Sequence, residues 1–474
     1  MKGNIYIIVF LACLLSCKKT VSVDPPVTNP VGGTVYETNS TAISVLSGVY
    51  AAASNINSLV NGKNGLSLYA GLSADELQTY PDLNSFLSLL YTNNITSRED
   101  GIAFFWRAFY IQLYTLNTAI EGISASNGLS VQVKNELLGE AKFNRAFFNF
   151  YLVNFFGDVP LITTNDYKAN SVAARMPAGT VYKQIIQDLQ DAEAALPATY
   201  VAGDVQTTTT ERVRPNKWVA AALLARVYLY TKDYANALAK SNDVIGQTNL
   251  YKLVGNLDSV FLKNSTEAIW QLQPVDSKGA NAPDGAMFIL TAPPTANTPA
   301  SLSSSLYNAF EPGDQRKLKW VKSYKAPAPT NTVYYYPYKY KVGVTTAATP
   351  VTEYEMVFRL AEQYLVHAEA SVQQGDLSAA AKDLNILRHR AGLPDVSAVD
   401  KDQMLKAVEQ ERRIELFSEL GHRWFDLKRT GRVDAVMSVE TPKKGGVWST
   451  NWQLFPIPLS ELHTDLNLTQ NTGY

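Results

Sequence analysis

The segment at residues 137–154 is apolar around almost its whole circumference when it is drawn as an α-helix. Leucine, alanine, phenylalanine and tyrosine recur at helical spacing, and Phe143, Phe150 and Phe155 widen the apolar stripe towards the remaining sides. A helix with no polar face must be surrounded by other elements, so this segment predicts a deeply buried position. It ends at residues 157–160, Gly-Asp-Val-Pro, because glycine suits the end of a helix and proline cannot continue one.

Two more helices are predicted downstream. Residues 182–196 are amphipathic and are followed by Pro197, and residues 216–230 follow Pro215, which we place at the first helical position. With 474 residues, of which 46% are hydrophobic, the chain has a globular composition and is long enough to bury its own core. These features predict a mainly helical fold.

Two distant segments share one helix-pair pattern. In residues 225–237 and 368–380 an alanine stands eight residues before an aspartate, Asp233 or Asp376, and another alanine stands four after it. The aspartate predicts the N-cap of a second helix, and the small alanines allow two helices to approach closely. The pattern is typical of tetratricopeptide-like helix pairs. Because the copies are far apart and degenerate, we expect a mixed helical scaffold and not a regular solenoid.

The N-terminus has the features of an export signal. A basic start is followed by an apolar run at residues 5–15, which is too short to span a membrane comfortably. The run leads into Leu14-Leu15-Ser16-Cys17, which resembles a bacterial lipobox. We therefore expect residues 1–16 to be a signal peptide and Cys17 to be lipidated. The alternative is an ordinary signal peptide with a chance cysteine.

Residues 17–35 are rich in proline and glycine and predict an extended tether behind the lipidated cysteine. We expect one domain at residues 36–474. Within it, residues 36–271 and 351–430 are predicted to be helical, and residues 431–474 form a C-terminal tail. Residues 272–350 are predicted to be a long, irregular, loop-rich insertion with few short strands.

The insertion keeps its aromatic residues although it loses the helical periodicity. A long irregular stretch in a compact protein is usually functional or disordered, and the aromatic content argues against disorder. A shorter irregular region covers residues 71–98. The triplet at residues 338–340, Tyr-Lys-Tyr, is predicted to be a structural strand.

Four segments are very similar to hallmark segments of the SusD/RagB family of lipoproteins. They lie at residues 145–162, 214–230, 411–431 and 455–474, in family order along the mature chain. Thr472 stands where the family usually has proline before the closing Gly-Tyr. The chain is thereby identified as resembling this family, and the lipobox agrees with it.

The resemblance implies a SusD-like fold of tetratricopeptide-like helix pairs on the outer face of the outer membrane. It implies a SusC-like TonB-dependent transporter as partner, over which the lipoprotein closes as a lid. It also implies capture of nutrients, most often oligosaccharides, for delivery to that transporter.

A glycan site needs flat aromatic faces for sugar rings and planar amides for paired hydroxyls. In the family the ligand site lies among loop aromatics, although the matched segments do not reach these loops. Each aromatic could instead pack only its own loop. We also expect Trp320→Ala to weaken glycan binding without unfolding the protein. The candidate ligand-binding residues are Tyr80, Asn84, Tyr91, Phe288, Trp320, Tyr334 and Tyr335.

The charged residues of the third matched segment favour a structural interpretation. The spacing of Glu419 and Arg423 predicts an ion pair on a helix, and Arg412 with Asp426 extends it. Glu411, Glu415 and Glu419 are therefore assigned to ion pairs, with no catalytic residue.

Other function classes lack their sequence patterns. The net charge of −1 does not favour nucleic acid as a partner. The four histidines show no ligand spacing, and no nucleotide-binding or hydrolase motif is present, so no metal or cofactor is predicted. A structural calcium ion stays open, because oxygen ligands leave no short pattern. Two alternatives to the binding protein stay open: a helical scaffold or gating lid without glycan affinity, and a surface glycosidase.

Overall fold

The computed structural model describes residues 34–55, 58–80, 83–275, 281–343 and 349–474. Cys17, the predicted signal peptide and the tether up to residue 33 lie outside the described residues. None of the helices in the described part of the chain is both long and apolar enough to cross a bilayer.

Helices dominate the described residues. The helices are α1 (Asn39–Ser54), α2 (Leu66–Ser73), α3 (Ser85–Tyr91), α4 (Asp100–Ala125), α5 (Val131–Phe156), α6 (Tyr167–Asn170), α7 (Ala178–Ala195), α8 (Lys217–Tyr230), α9 (Tyr234–Ile245), α10 (Pro283–Phe288), α11 (Ser304–Tyr307), α12 (Gln315–Trp320), α13 (Leu360–Gln374), α14 (Leu377–Arg390), α15 (Lys401–Glu415), α16 (His422–Arg429), α17 (Val433–Lys443) and α18 (Leu459–Thr464). The strands are β1 (Leu77–Thr79), β2 (Tyr200–Val201), β3 (Thr208–Thr209), β4 (Ala268–Leu272), β5 (Ala300–Leu302), β6 (Val321–Lys325), β7 (Val333–Pro337) and β8 (Glu355–Arg359).

The apolar segment predicted to be buried forms the centre of the core. It lies within α5, which packs between α4 and α7. Phe143 and Phe147 are buried and place their rings 4.9 and 5.3 Å from the ring of Trp270 on β4. Gly157 ends the helix with a φ of 74°, a conformation that favours glycine. The prediction of a deeply buried helix with a glycine stop is confirmed.

Further helices pack in pairs next to α5 and α7. Helix α8 packs against α7 and α9, α9 packs against α13, and α13 packs against α14 and α15. Asp233 caps α9 by accepting from the Asn236 N–H, and Asp376 caps α14 by accepting from the Ala379 N–H. Both caps were predicted from the repeated pattern, and the mainly helical fold of helix pairs is confirmed.

The start of α8 differs from the prediction. The side chain of Asn216 accepts from the N–H groups of Trp218 and Val219 and is therefore the N-cap. Pro215 thus lies before the cap and not at the first helical position. Asparagine outcompetes proline here because its oxygen satisfies two N–H groups that otherwise lack a partner at a helix start.

Buried ion pairs fix neighbouring helices to each other. Arg145 on α5 donates to Asp188 on α7 at 2.6 Å, and Arg226 on α8 pairs with Glu362 on α13 at 2.6 Å. All four side chains are buried. Removing one partner of such a pair leaves a buried charge, so the pairs strongly constrain which helices can be neighbours.

The irregular insertion is closed at its base by a strand pair. Strand β4 pairs antiparallel with β8, with Leu272 opposite Glu355, so the chain leaves and re-enters the helical body at one place. Between these strands lie α10 to α12, β5 and the hairpin of β6 and β7. Residues 338–340 follow β7 and belong to no strand, which corrects the strand predicted there.

The spacing of Leu405, Val408, Leu416, Leu420 and Trp424 in the sequence is that of one apolar helical stripe, which predicts a single helix over residues 405–424. The structure does not have one continuous helix there. Helix α15 ends at Glu415 and α16 begins at His422. Between them Ser418, Leu420 and Gly421 have positive φ angles of 52°, 45° and 77°, which an α-helix does not permit.

The break in the helix changes the charge pairs. Glu419 binds Lys339 and Arg359, and Arg423 binds Asp75 at 2.8 Å, so the predicted pair of Glu419 with Arg423 is wrong. The predicted pair of Arg412 with Asp426 is confirmed at 2.7 Å.

Candidate functional site

The pairing of β1 with β5 places Tyr80 beside the insertion. Leu77 lies opposite Leu302 and Thr79 opposite Ala300, so the end of β1 is held against the loop that precedes β5. The hydroxyl of Tyr80, directly after β1, lies 2.8 Å from Ser301 Oγ and accepts from Gln78 Nε2 at 2.8 Å. Two polar contacts thus fix the orientation of a ring that is only partly buried.

The hairpin of β6 and β7 brings a second tyrosine to this ring. Tyr334 on β7 is partly exposed, and its ring lies edge-on to that of Tyr80, with centroids 5.5 Å apart and planes at 75°. Tyr91 at the end of α3 is also partly exposed, and its pKa is raised first by burial and second by the electrostatic effect of Tyr80. We name Tyr80, Tyr91 and Tyr334 the Tyr80 face.

Tyr335 points to the other face of the hairpin, because successive side chains of a strand alternate. Its ring stacks on Tyr307 at the end of α11, with centroids 3.7 Å apart and planes at 21°. Lys317 Nζ lies 4.0 Å from the Tyr307 centroid and adds a cation–π contact to this pair of rings. Tyr307 was not among the predicted site residues, since no local pattern links residue 307 to residue 335.

Asn84 has a capping role next to the Tyr80 face. Its side chain accepts from the Leu87 N–H at 3.2 Å and caps α3, while the residue is exposed. It also lines a groove of about 380 Å³ that reaches Pro299. The Pro299 carbonyl accepts from Thr79 Oγ1 at 2.8 Å, which connects the groove to the end of β1.

Two predicted ligand residues lie in the interior. Trp320 is fully buried, donates from Nε1 to the Leu257 carbonyl at 2.9 Å, and meets Phe261 edge-on at 5.7 Å. Phe288 is also buried, with only 3% of its surface exposed. Neither ring has a face open to a sugar in this conformation, so the predictions for Trp320 and Phe288 are corrected. Trp320 packs the insertion against Leu257 and Phe261, and Phe288 lies in the same apolar core.

The chemistry of the Tyr80 face is that of binding. Its groups are ring faces, hydroxyls and the amide of Gln78. Burial raises the pKa of Tyr80 above its usual value, although hydrogen bonds from Ser301 and Gln78 oppose the shift. The phenol therefore stays protonated at neutral pH and does not act as a base.

The carboxylates of the third matched segment lie in a buried ion-pair network. Glu415 is fully buried and contacts Arg316, Arg359 and Arg390, and Arg316 also binds Glu411. Burial alone would raise the pKa of Glu415, but the three guanidinium groups hold it well below its usual value. Each of these groups has a structural partner, as the sequence predicted.

The described residues contain no group of three or more histidine, cysteine or acidic side chains arranged to hold a metal ion.

A family model described as "SusD family" matches residues 227–474, more than half of the chain. The chain belongs to the SusD family. A second model, described as "Starch-binding associating with outer membrane", matches residues 48–229. The two models together cover the helical body and the insertion, and they bear out the resemblance found in the sequence.

Relatives of the SusD family match along nearly the whole chain. SusD-like protein P2 of Formosa agariphila is 27% identical over 100% of this chain and 100% of its own length. A crystal structure of a SusD superfamily protein from Bacteroides vulgatus has a TM-score of 0.80 at 22% identity, covering 93% of this chain and 100% of the other. A laminarin-binding SusD-like protein has a TM-score of 0.75 at 24% identity, covering 93% and 100%.

Proposed function

We propose that this protein captures oligosaccharides at the cell surface and passes them to a SusC-like TonB-dependent transporter. The observation that carries the proposal is the Tyr80 face, where Tyr80 and Tyr334 meet edge-on with both rings partly exposed. An edge-on pair leaves ring faces open, and the C–H faces of sugars stack on such rings. The hydroxyls and the Gln78 amide at the same place supply partners for sugar hydroxyls.

The descriptions of the matched family model and of one protein of the same fold support a glycan as the ligand. The model matched at residues 48–229 is described as starch-binding, and this part of the chain contains Tyr80 and Tyr91. A protein of the same fold is described as laminarin binding. Laminarin and starch oligosaccharides are therefore the first probes for this surface.

The proposed location follows from the N-terminal sequence and the family. Lipidation of Cys17 and removal of residues 1–16 would leave the folded domain on a tether at the outer membrane, facing the exterior. The family description of association with the outer membrane supports this location. A lipid anchor also suits the proposed lid role, because a tethered domain can move over its transporter without leaving the membrane.

Binding without hydrolysis is the proposed outcome of capture. A glycosidase of the usual kind needs two carboxylates that flank the bond to be cleaved. Glu411 and Glu415 are instead buried and form ion pairs with Arg316, and Glu415 also pairs with Arg359. The Tyr80 face consists of tyrosines, so it does not itself provide a pair of carboxylates.

The test is an affinity-gel and calorimetric panel of soluble glycans with purified protein, followed by chromatography of the glycans. Saturable binding of one glycan class with unchanged oligosaccharide length is the expected result. Shortened oligosaccharides would establish a glycosidase instead. Copurification with a SusC-like barrel but no binding of any glycan would contradict capture and favour a gating lid.

A further inference from the structure

We propose that a basic pocket in the helix-pair region binds a compact oxyanion, namely a sulfate or phosphate group. The pocket has a volume of about 400 Å³ and lies between α13, α15, α16 and the turn that joins α8 to α9. It is distinct from the Tyr80 face, and none of the residues predicted to bind glycan lines it. We name it the arginine pocket.

The lining of the arginine pocket is strongly cationic in a protein that is nearly neutral overall. Seven lysine or arginine residues line it against four acidic residues, while the whole chain has a net charge of −1. Asp75 does not line the pocket, but it binds Arg413 and Arg423. Its charge reduces the local excess from three to two positive charges. A concave site with an excess of one sign raises the local concentration of ions of the other sign.

The acidic residues hold the guanidinium groups in place and do not fill the pocket with negative charge. Glu409 joins two arginines, with Arg423 Nη1 at 3.1 Å and Arg432 Nη1 at 2.6 Å. Asp426 joins Arg412 and Arg429, each at 2.7 Å. Such bridges orient several forked donors before any ligand arrives, which lowers the entropy cost of binding.

Several donors of the arginine pocket have no hydrogen-bond partner in the part of the chain that the structure describes. Arg412 uses Nε for Asp426, but its buried Nη1 and Nη2 have no acceptor among these residues. Arg413 Nε is also buried without an acceptor. Buried donors without partners are costly, and the observation indicates that the region is short of acceptors.

Two exposed lysines add positive charge at the rim of the pocket. Lys232 and Lys406 are exposed, line the pocket, and form no ion pair among the described residues. Lysine is a compact point charge that commonly binds phosphate, while arginine offers a planar fork. A tetrahedral oxyanion can accept hydrogen bonds from both kinds of donor at once.

The test measures binding of inorganic sulfate and inorganic phosphate by calorimetry, against chloride at matched ionic strength. The wild-type protein is expected to bind at least one of them saturably. The double variant Lys232→Gln with Lys406→Gln is expected to bind it at least tenfold more weakly. Both lysines are exposed, so the variant is expected to fold normally, as circular dichroism would verify.

The matched control is the double variant Lys168→Gln with Lys382→Gln, which removes the same charge from exposed helix positions outside the pocket. It is expected to bind like the wild type. No saturable binding by the wild type, or equal weakening in the control and the rim variant, would overturn the proposal.

A second arm distinguishes the sources of the oxyanion. A sulfated galactan oligosaccharide that displaces sulfate, while its desulfated form does not, assigns the site to an ester on a glycan. Displacement by neither form assigns it to the free ion. The arginine pocket does not depend on glycan capture at the Tyr80 face, so Tyr334→Ala is expected to leave binding of inorganic sulfate unchanged.

Discussion

Replacement of Trp320 by alanine separates a structural role from a ligand role for this residue. The side chain is fully buried at the point where α12 meets β6, and its Nε1 donates to the Leu257 carbonyl at 2.9 Å. Lys339 Nζ lies 5.0 Å from the ring centroid, so the ring also faces a buried cation. Alanine would remove all of these contacts and leave the Leu257 carbonyl without its donor.

The expected cost of Trp320→Ala is large. Truncation of a buried tryptophan costs about 3–5 kcal/mol, and the loss of one hydrogen bond adds about 1 kcal/mol. We therefore expect the free energy of unfolding to fall by about 4 kcal/mol or more. Trp320→Phe keeps most of the packing and loses the donor, so it is the matched control, with an expected loss of about 1–2 kcal/mol.

The assay is urea unfolding followed by circular dichroism, together with glycan affinity measured well below the unfolding transition. Folded Trp320→Ala protein is expected to bind glycan as the wild type does. A loss of less than about 1 kcal/mol would refute the account of a structural tryptophan. Weakened glycan binding at unchanged stability would refute it as well, and would restore the expectation from the sequence.

Two further perturbations test the buried charges. Burial first, and the neighbouring Asp75 second, raise the pKa of Glu76 to about 8, so the folded state holds a proton that the unfolded state releases. The stabilising effect of this proton is present below pH 4.5 and is lost as the pH rises towards 8. Glutamine does not titrate, so the free energy of unfolding of Glu76→Gln is expected to rise relative to that of the wild type by up to about 1.4 kcal/mol per pH unit in that window. Urea unfolding at several pH values checks this, and parallel profiles of the two proteins would contradict it. Arg316→Met leaves the buried Glu411 and Glu415 without one cation and is expected to cost about 3–5 kcal/mol, which thermal and urea unfolding would detect.

Local rules were sufficient for much of the helical body. The glycine stop at Gly157 and the caps Asp233 and Asp376 depend on residues within a few positions of each other. The break at residues 416–421 was not predicted, because the apolar stripe continues across it. The positive φ angle of Leu420 interrupts the helix even though the leucine is buried as the stripe requires.

The candidate site depends on contacts between distant parts of the chain. Tyr80 meets Ser301 and Tyr334 only because β1 pairs with β5 and the hairpin folds back on both. In the sequence, Trp320 and Tyr334 are both aromatic residues of the irregular insertion, and nothing there distinguishes them as ligand-binding candidates. Which of them is buried is decided by how the insertion packs on the helical body. Trp320 is buried next to Lys339, while Tyr334 is only partly buried beside Tyr80.

The most direct test of capture at the Tyr80 face is the dissociation constant of Tyr334→Ala for the glycan that the wild type binds. Loss of one stacking ring is expected to cost about 1–3 kcal/mol, by analogy with base stacking, which is a loss of affinity of roughly 5-fold to 150-fold. The matched control is Tyr114→Ala, which removes an exposed tyrosine of α4 far along the chain from the insertion, with 51% of its surface exposed. Weaker binding by Tyr334→Ala alone is the predicted result. Equal affinity of Tyr334→Ala and the wild type would contradict the account.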